Sequence, residues 1–186
     1  MSQGRIGMTP GKGLLALCVV GACLAFGRTA LAEEGADMSA LVQALGKSKQ
    51  TLLGGMRHAA QGKAAVISAK FELEDGKLSL SVYTAGKGLA VPPEENVLQE
   101  LSGSPEQDKW MPQTEVFKDV PHVARFAEQL TLMALARKSL PAIVAEVQKA
   151  QGGTVFSITP AVRNHRAVAV ILLSHKSKVR TLIRPL

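Results

Sequence analysis

The feature that most constrains this chain is a weak internal repeat. Ser48–Ile67 can be laid over Ser139–Ile158 at a constant offset of 91 residues. In that alignment Leu52 faces Ile143, Leu53 faces Val144, Met56 faces Val147, Ala59 faces Ala150, Gly62 faces Gly153 and Ile67 faces Ile158. The apolar residues match in phase, and each copy ends its helix at a glycine. One supersecondary unit used twice restricts architecture far more than chemistry. Carried backwards, the offset sets Leu41 opposite Leu132, so the preceding helix belongs to the unit as well.

The N-terminus bears on compartment. Arg5 and Lys12 precede the uncharged apolar run Gly13–Phe26, and Ala30-Leu31-Ala32 then precedes Glu33-Glu34. That order of basic, apolar and small residues is the pattern of a secretory signal peptide. The run of 14 residues is shorter than the roughly 20 that a membrane-spanning helix needs. Residues 1–32 are therefore expected to be removed on export. Val19-Val20-Gly21-Ala22-Cys23 also resembles a bacterial lipobox, and its use would make Cys23 the lipidated first residue of a membrane-anchored product. Both cysteines lie in this leader, so a product cut after Ala32 has no disulfide and no thiolate metal site.

Without residues 1–32 the chain keeps 19 basic and 15 acidic side chains, a net charge of +4 over 154 residues. That length makes one ordinary domain or two small modules sharing a core. Basic residues thicken near the C-terminus, where Arg163, Arg166, Lys176, Lys178, Arg180 and Arg184 alternate with apolar positions. In an exported protein this reads as the solvated face of strands turned toward an acidic partner or an anionic surface polymer. Nucleic acid is excluded by compartment and by the scarcity of aromatic residues.

Along the chain, residues 33–37 read as a loose polar segment, with Asp37 as N-cap of a helix over Met38–Leu45. Ser48 is expected to cap a second helix reaching Ala60, closed by Gly62. Ala65, Ile67, Ala69, Phe71 and Leu73 then alternate with polar residues as a half-buried strand. Glu74-Asp75-Gly76-Lys77 is a hairpin turn, and Leu78–Tyr83 is the return strand. Gly86–Gln113 is the least regular stretch, with a short helical candidate at Glu95–Leu101. A longer helix starts near Pro121, Ser139 starts the next with Pro141 in its first turn, and two strands joined by a turn at Arg163–Arg166 follow. In that second hairpin Val168, Val170 and Leu172 are expected to stand for Leu78, Leu80 and Val82, and Val179–Ile183 is a third strand. The expected fold is α+β: two tandem helix–helix–antiparallel-strand repeats, with helices packed on one face of the sheet. Repeat 1 covers residues 37–91, a connector 92–120, and repeat 2 residues 121–186.

A helix ending at Gly62 and followed by Phe71-Glu-Leu-Glu-Asp-Gly-Lys-Leu-Ser-Leu-Ser-Val-Tyr83 resembles the PepSY family of peptidase-propeptide-like modules. The resemblance covers Ser48–Thr84 and, more loosely, Ser139–Ile183, where Arg163-Asn-His-Arg166 replaces the acidic turn. It implies an exported, non-catalytic module that binds or restrains proteases in the bacterial envelope. No family catalytic residues carry over.

The residues themselves offer little chemistry. His58, His122, His165 and His175 form no HExxH pattern and have no second ligand at metal spacing. Glu72, Glu74 and Asp75 fall on an exposed hairpin rather than forming a catalytic pair. No G-x-S-x-G elbow and no phosphate loop is present. The chain is thus expected to have no catalytic, cofactor or metal residues and to act by binding a protein or peptide, a peptidase among the candidates. Trp110, Phe117 and Tyr83 are the candidate contacts, with Met111 and Val116 beside them. Trp110 reads equally well as a loop aromatic packed inward. The expected location is extracytoplasmic, periplasmic or secreted. A structural envelope protein lipidated at Cys23 is the alternative, and only that form would meet a membrane.

Overall fold

The computed structural model describes the backbone of residues 28–186 and the side chains of residues 37–186. Cys23 and the apolar run of the expected leader lie outside the described residues. In chain order the elements are α1 (Arg28–Leu45), α2 (Leu52–Ala59), β1 (Ala65–Glu74), β2 (Lys77–Ala85), β3 (Leu98–Gly103) and β4 (Gln113–Val116). They continue with α3 (Val120–Ala134), α4 (Leu140–Gln151), β5 (Thr154–Arg163), β6 (Arg166–His175) and β7 (Lys178–Pro185). The fold is α+β, with one antiparallel sheet of seven strands in the order β4-β3-β2-β1-β5-β6-β7.

Three two-residue turns shape the sheet. Asp75 and Gly76 (φ +49° and +74°), Asn164 and His165 (+49° and +61°), and Lys176 and Ser177 (+49° and +60°) all take the left-handed region. Two successive positive φ values give the turn whose twist matches antiparallel strands. The first two are the turns expected from the sequence.

The hairpins β1–β2 and β5–β6 have the same register at a constant separation of 89 residues. Val66↔Thr84, Phe71↔Leu80 and Glu74↔Lys77 correspond to Val155↔Leu173, Pro160↔Ala169 and Arg163↔Arg166. Each ladder also shifts at the same place, leaving Ile67 and Phe156 as the extra residues. Both are buried, since a bulge re-aims its extra side chain. At the middle of the sheet Ala69 pairs with Ile158, and these are themselves counterparts at 89. In the helices the separation is 88: Leu52, Gly55, Met56 and Ala59 of α2 are buried like Leu140, Ile143, Val144 and Val147 of α4.

The offset of 91 is therefore corrected to 88 and 89. The second hairpin is corrected too, because Leu78, Leu80 and Val82 correspond to Ala167, Ala169 and Ile171. That change of one residue moves Val168, Val170 and Leu172 to the opposite face of the sheet.

Four local expectations also change. Residues 33–37 belong to α1, so Asp37 is not a cap; the flanking Ala, Leu and Glu residues are strong helix formers. Thr51, not Ser48, caps α2, its Oγ1 accepting from the Gly54 N–H at 3.0 Å. Ser48 closes its own turn with Gln50, and Lys49 N–H donates to Pro105. Helix α2 ends at Ala59 with Ala60 as its C-cap, and Gly62 (φ +63°) turns the chain beyond it.

Glu95–Leu101 is not helical, because the Asn96 amide donates to the carbonyls of Gly88 and Val91 while its oxygen accepts from Lys87. The chain leaves that knot extended and pairs with β2 as β3. The stretch 92–120 thus contributes both β3 and β4 to the sheet. The expected starts of α3 and α4 hold, with Asp119 and Ser139 as N-caps and Pro121 and Pro141 in their first turns.

Alternate strand residues fall on two unlike faces. Ala69, Phe71, Leu78, Leu80, Val82, Ile158, Ala169 and Ile171 are all buried and belong to one core with Leu52, Met56, Phe126, Leu130, Val144 and Val147 of the helices. On the other face Lys70, Glu72, Tyr83, Ser157, Thr159, Val170 and Leu172 are half-buried, while Ser68, Ser79, Ser81, Glu100 and Val168 are buried.

Candidate functional site

The half-exposed face has two chemically different halves. On β1–β3 it is polar: register places Lys70 beside Ser81, Glu72 beside Ser79, Tyr83 beside Glu100 and Ser81 beside Ser102. On β5–β7 it is aliphatic: Val170 lies between Thr159 and Ile183, and Leu172 between Ser157 and Thr181. The halves meet where Lys70 pairs with Ser157 across the central strands.

Electrostatics concentrate in the polar half. Lys70 Nζ bonds Glu72 and lies 5.9 Å from the centre of the Tyr83 ring. Glu100 is buried, and that burial pushes its carboxyl above the usual range. The hydroxyls of Ser81 and Tyr83 and the charge of Lys70 oppose the rise, while Glu72 adds to it. Ser81 Oγ is near enough to favour the charged carboxylate, yet it is buried without a hydrogen bond of good geometry.

The three expected contact residues are not brought together. Tyr83 lies on this half-exposed face. Trp110 is 4% exposed, its Nε1–H donating to the Gly103 carbonyl at 3.3 Å and its ring edge-on to His58 of α2 at 5.3 Å. The inward-packed reading of Trp110 is the one the structure realises. Phe117 is half-buried and stacks on His122 at 4.3 Å. Beside it Asp119 accepts from His122 at 2.6 Å, which holds the Asp119 carboxyl below its ordinary range. Met111 and Val116 are exposed.

The residues that sequence reasoning missed are Val170, Leu172, Ile183 and Glu100. Register is the signal that separates them from the core. Among the described residues, no group of three or more His, Cys, Asp or Glu comes together as a metal site. Comparison with protein-family models, curated proteins and solved structures found no match to this chain.

Proposed function

We propose that this chain is an exported, non-catalytic module of the PepSY kind that binds a protein or peptide in the cell envelope and modulates an extracytoplasmic hydrolase. Its two units, two helices with the meander β1–β4 and two helices with the meander β5–β7, are related at the hairpins β1–β2 and β5–β6 by an approximate two-fold through the Ala69–Ile158 pair. In this reading the helices cover one face of the sheet and the partner takes the other. The observation that carries it is the half-exposed face joining Tyr83, Lys70 and Glu100 to Val170, Leu172 and Ile183. A mixed aliphatic and aromatic surface with a polar margin is the composition of a protein contact site.

The test is capture from an envelope extract on the immobilised protein, followed by assays of the captured hydrolase. Wild type is expected to retain a partner and slow its activity, and Leu172→Glu with Ile183→Glu to lose both at an unchanged melting temperature. Equal capture by the folded double variant overturns the reading.

A further inference from the structure

We propose that β7 is a strand-addition site for an extended acidic peptide. The inference rests on the binding reading above and gives the partner segment its chemistry and docking mode. Strand β7 closes one side of the sheet, pairing with β6 from Val168↔Pro185 to His175↔Lys178 and, among the described residues, with no strand on its other side. The ladder continues through the Leu186 N–H, which donates to Ala167 at 3.3 Å. In an antiparallel pair alternate residues bond the partner. The even-numbered residues of β7 therefore face β6, and the amides of Val179, Thr181 and Ile183 point outward. The opposite edge, β4, offers only four residues.

Charge selects the occupant. After Glu146 the chain has no Asp or Glu, while Lys149, Arg163, Arg166, Lys176, Lys178, Arg180 and Arg184 are all basic. Among the described residues, Lys176, Lys178, Arg180 and Arg184 make no ion pair. Lysines and arginines on an edge repel a second copy of the same edge. They attract an acidic strand.

Beside β7, an open groove between α4 and the strand has Ile143 and Val147 on its floor and Arg137 and Arg184 on its rim. Lys138 lines it too, but is held by Glu146 at 2.7 Å. An added strand sends alternate side chains to opposite faces. Carboxylates on one side reach the groove's arginines, and aliphatic side chains on the other reach Val179 and Ile183, which are 36% and 51% exposed.

The probe is a fluorescein-labelled peptide of about five Glu-Val repeats, with a Lys-Val peptide and dextran sulfate as comparisons, read by anisotropy on the purified protein. The acidic peptide is expected to bind, more weakly as salt rises, and to slow hydrogen exchange at Val179, Thr181 and Ile183. Thr181→Pro removes an outward N–H and no bond to β6, so it is expected to fold and to weaken binding about tenfold or more. Arg180→Glu with Arg184→Glu is expected to weaken it similarly.

Wild-type affinity in folded Thr181→Pro overturns the proposal, and so does equal binding of dextran sulfate that ignores Thr181→Pro. Self-association that protects β7 without peptide, or protection confined to Tyr83 and Leu172, also overturns it. If Thr181→Pro does not fold, Ile183→Pro and the exchange pattern of the wild type decide. Partner capture that survives Thr181→Pro but not Leu172→Glu leaves the open-face reading standing while strand addition fails.

Discussion

Leu80 Cδ2 lies 2.6 Å from where a Cβ on Gly55 would stand. Helix α2 can approach β2 this closely only because Gly55 has no side chain. Their counterparts reverse the sizes, with Ile143 on α4 and Ala169 on β6.

Gly55→Ala is therefore expected to destabilise the protein by about 1–3 kcal/mol through overpacking, although alanine is the better helix former. Leu80→Ala alone is expected to cost about 2–5 kcal/mol. The double variant should lose less than the sum, as coupled neighbours do. Urea denaturation of the three variants measures this, and strict additivity contradicts the contact.

Trp110, the single tryptophan of the chain, reports on docking of the β3–β4 loop. It is buried against His58, and the same loop holds the α1–α2 turn through Lys49–Asp108 at 2.9 Å and Gln50 to the Gln107 carbonyl at 2.8 Å. Trp110→Ala is expected to cost about 3–5 kcal/mol, the range for emptying a large aromatic site. Native emission should be blue-shifted and move to the red in the same transition that circular dichroism detects. An exposed-indole spectrum in the folded protein contradicts the burial.

The element order and the helix–helix–strand grouping were legible because apolar periodicity survives small slips. A three-residue error between α2 and α4 rotates a helical pattern by only about 60°. A two-residue error between β1 and β5 keeps every strand residue on its face. The offset of 91 therefore matched apolar residues correctly while pairing the wrong ones.

The one-residue error in the second hairpin was different, and the cause lies in β6. Ala167–Leu173 is apolar throughout, so it has no alternation to fix which face is which. Val170 and Leu172 could not be told from Ala169 and Ile171 before the ladder was known. β3 was hidden in another way: Leu98 and Leu101 are spaced three apart, which suits a helix, and only pairing with β2 decides for a strand.

Lys176 and Ser177 occupy left-handed conformations without glycine or asparagine. Asn-Gly is the pair this turn favours. Replacing both residues with Asn-Gly is expected to stabilise the β6–β7 hairpin by about 1 kcal/mol, the strain removed being that of a side chain forced to positive φ. At the Asp75–Gly76 turn, Gly76→Ala is expected to move stability the other way by a similar amount. Melting temperatures of the two variants should shift in opposite directions. No shift in either would mean the turns carry no strain.

Glu100 makes the polar half of the sheet pH-sensitive. Burial above all holds its carboxyl above the ordinary glutamate range, so the folded protein binds its proton more tightly than the unfolded chain does. By linkage the charged form costs stability at neutral pH, and the cost disappears as pH falls through the folded value and below the unfolded one. Glu100→Gln keeps an acceptor for Tyr83 and Ser81 while removing the buried charge. It is expected to melt above wild type at pH near 7 and to lose that advantage in acid. The measurement is the difference in melting temperature between the two proteins across that range. A difference that stays flat, or grows as pH falls, contradicts the buried carboxylate as its source. The Asp119 carboxyl, held low by His122, acts with the opposite sign: its contribution is present above its unfolded value and is lost as pH falls through the folded one. Glu100→Gln is therefore best compared in an Asp119→Asn background, where the remaining acid dependence of the difference belongs to Glu100.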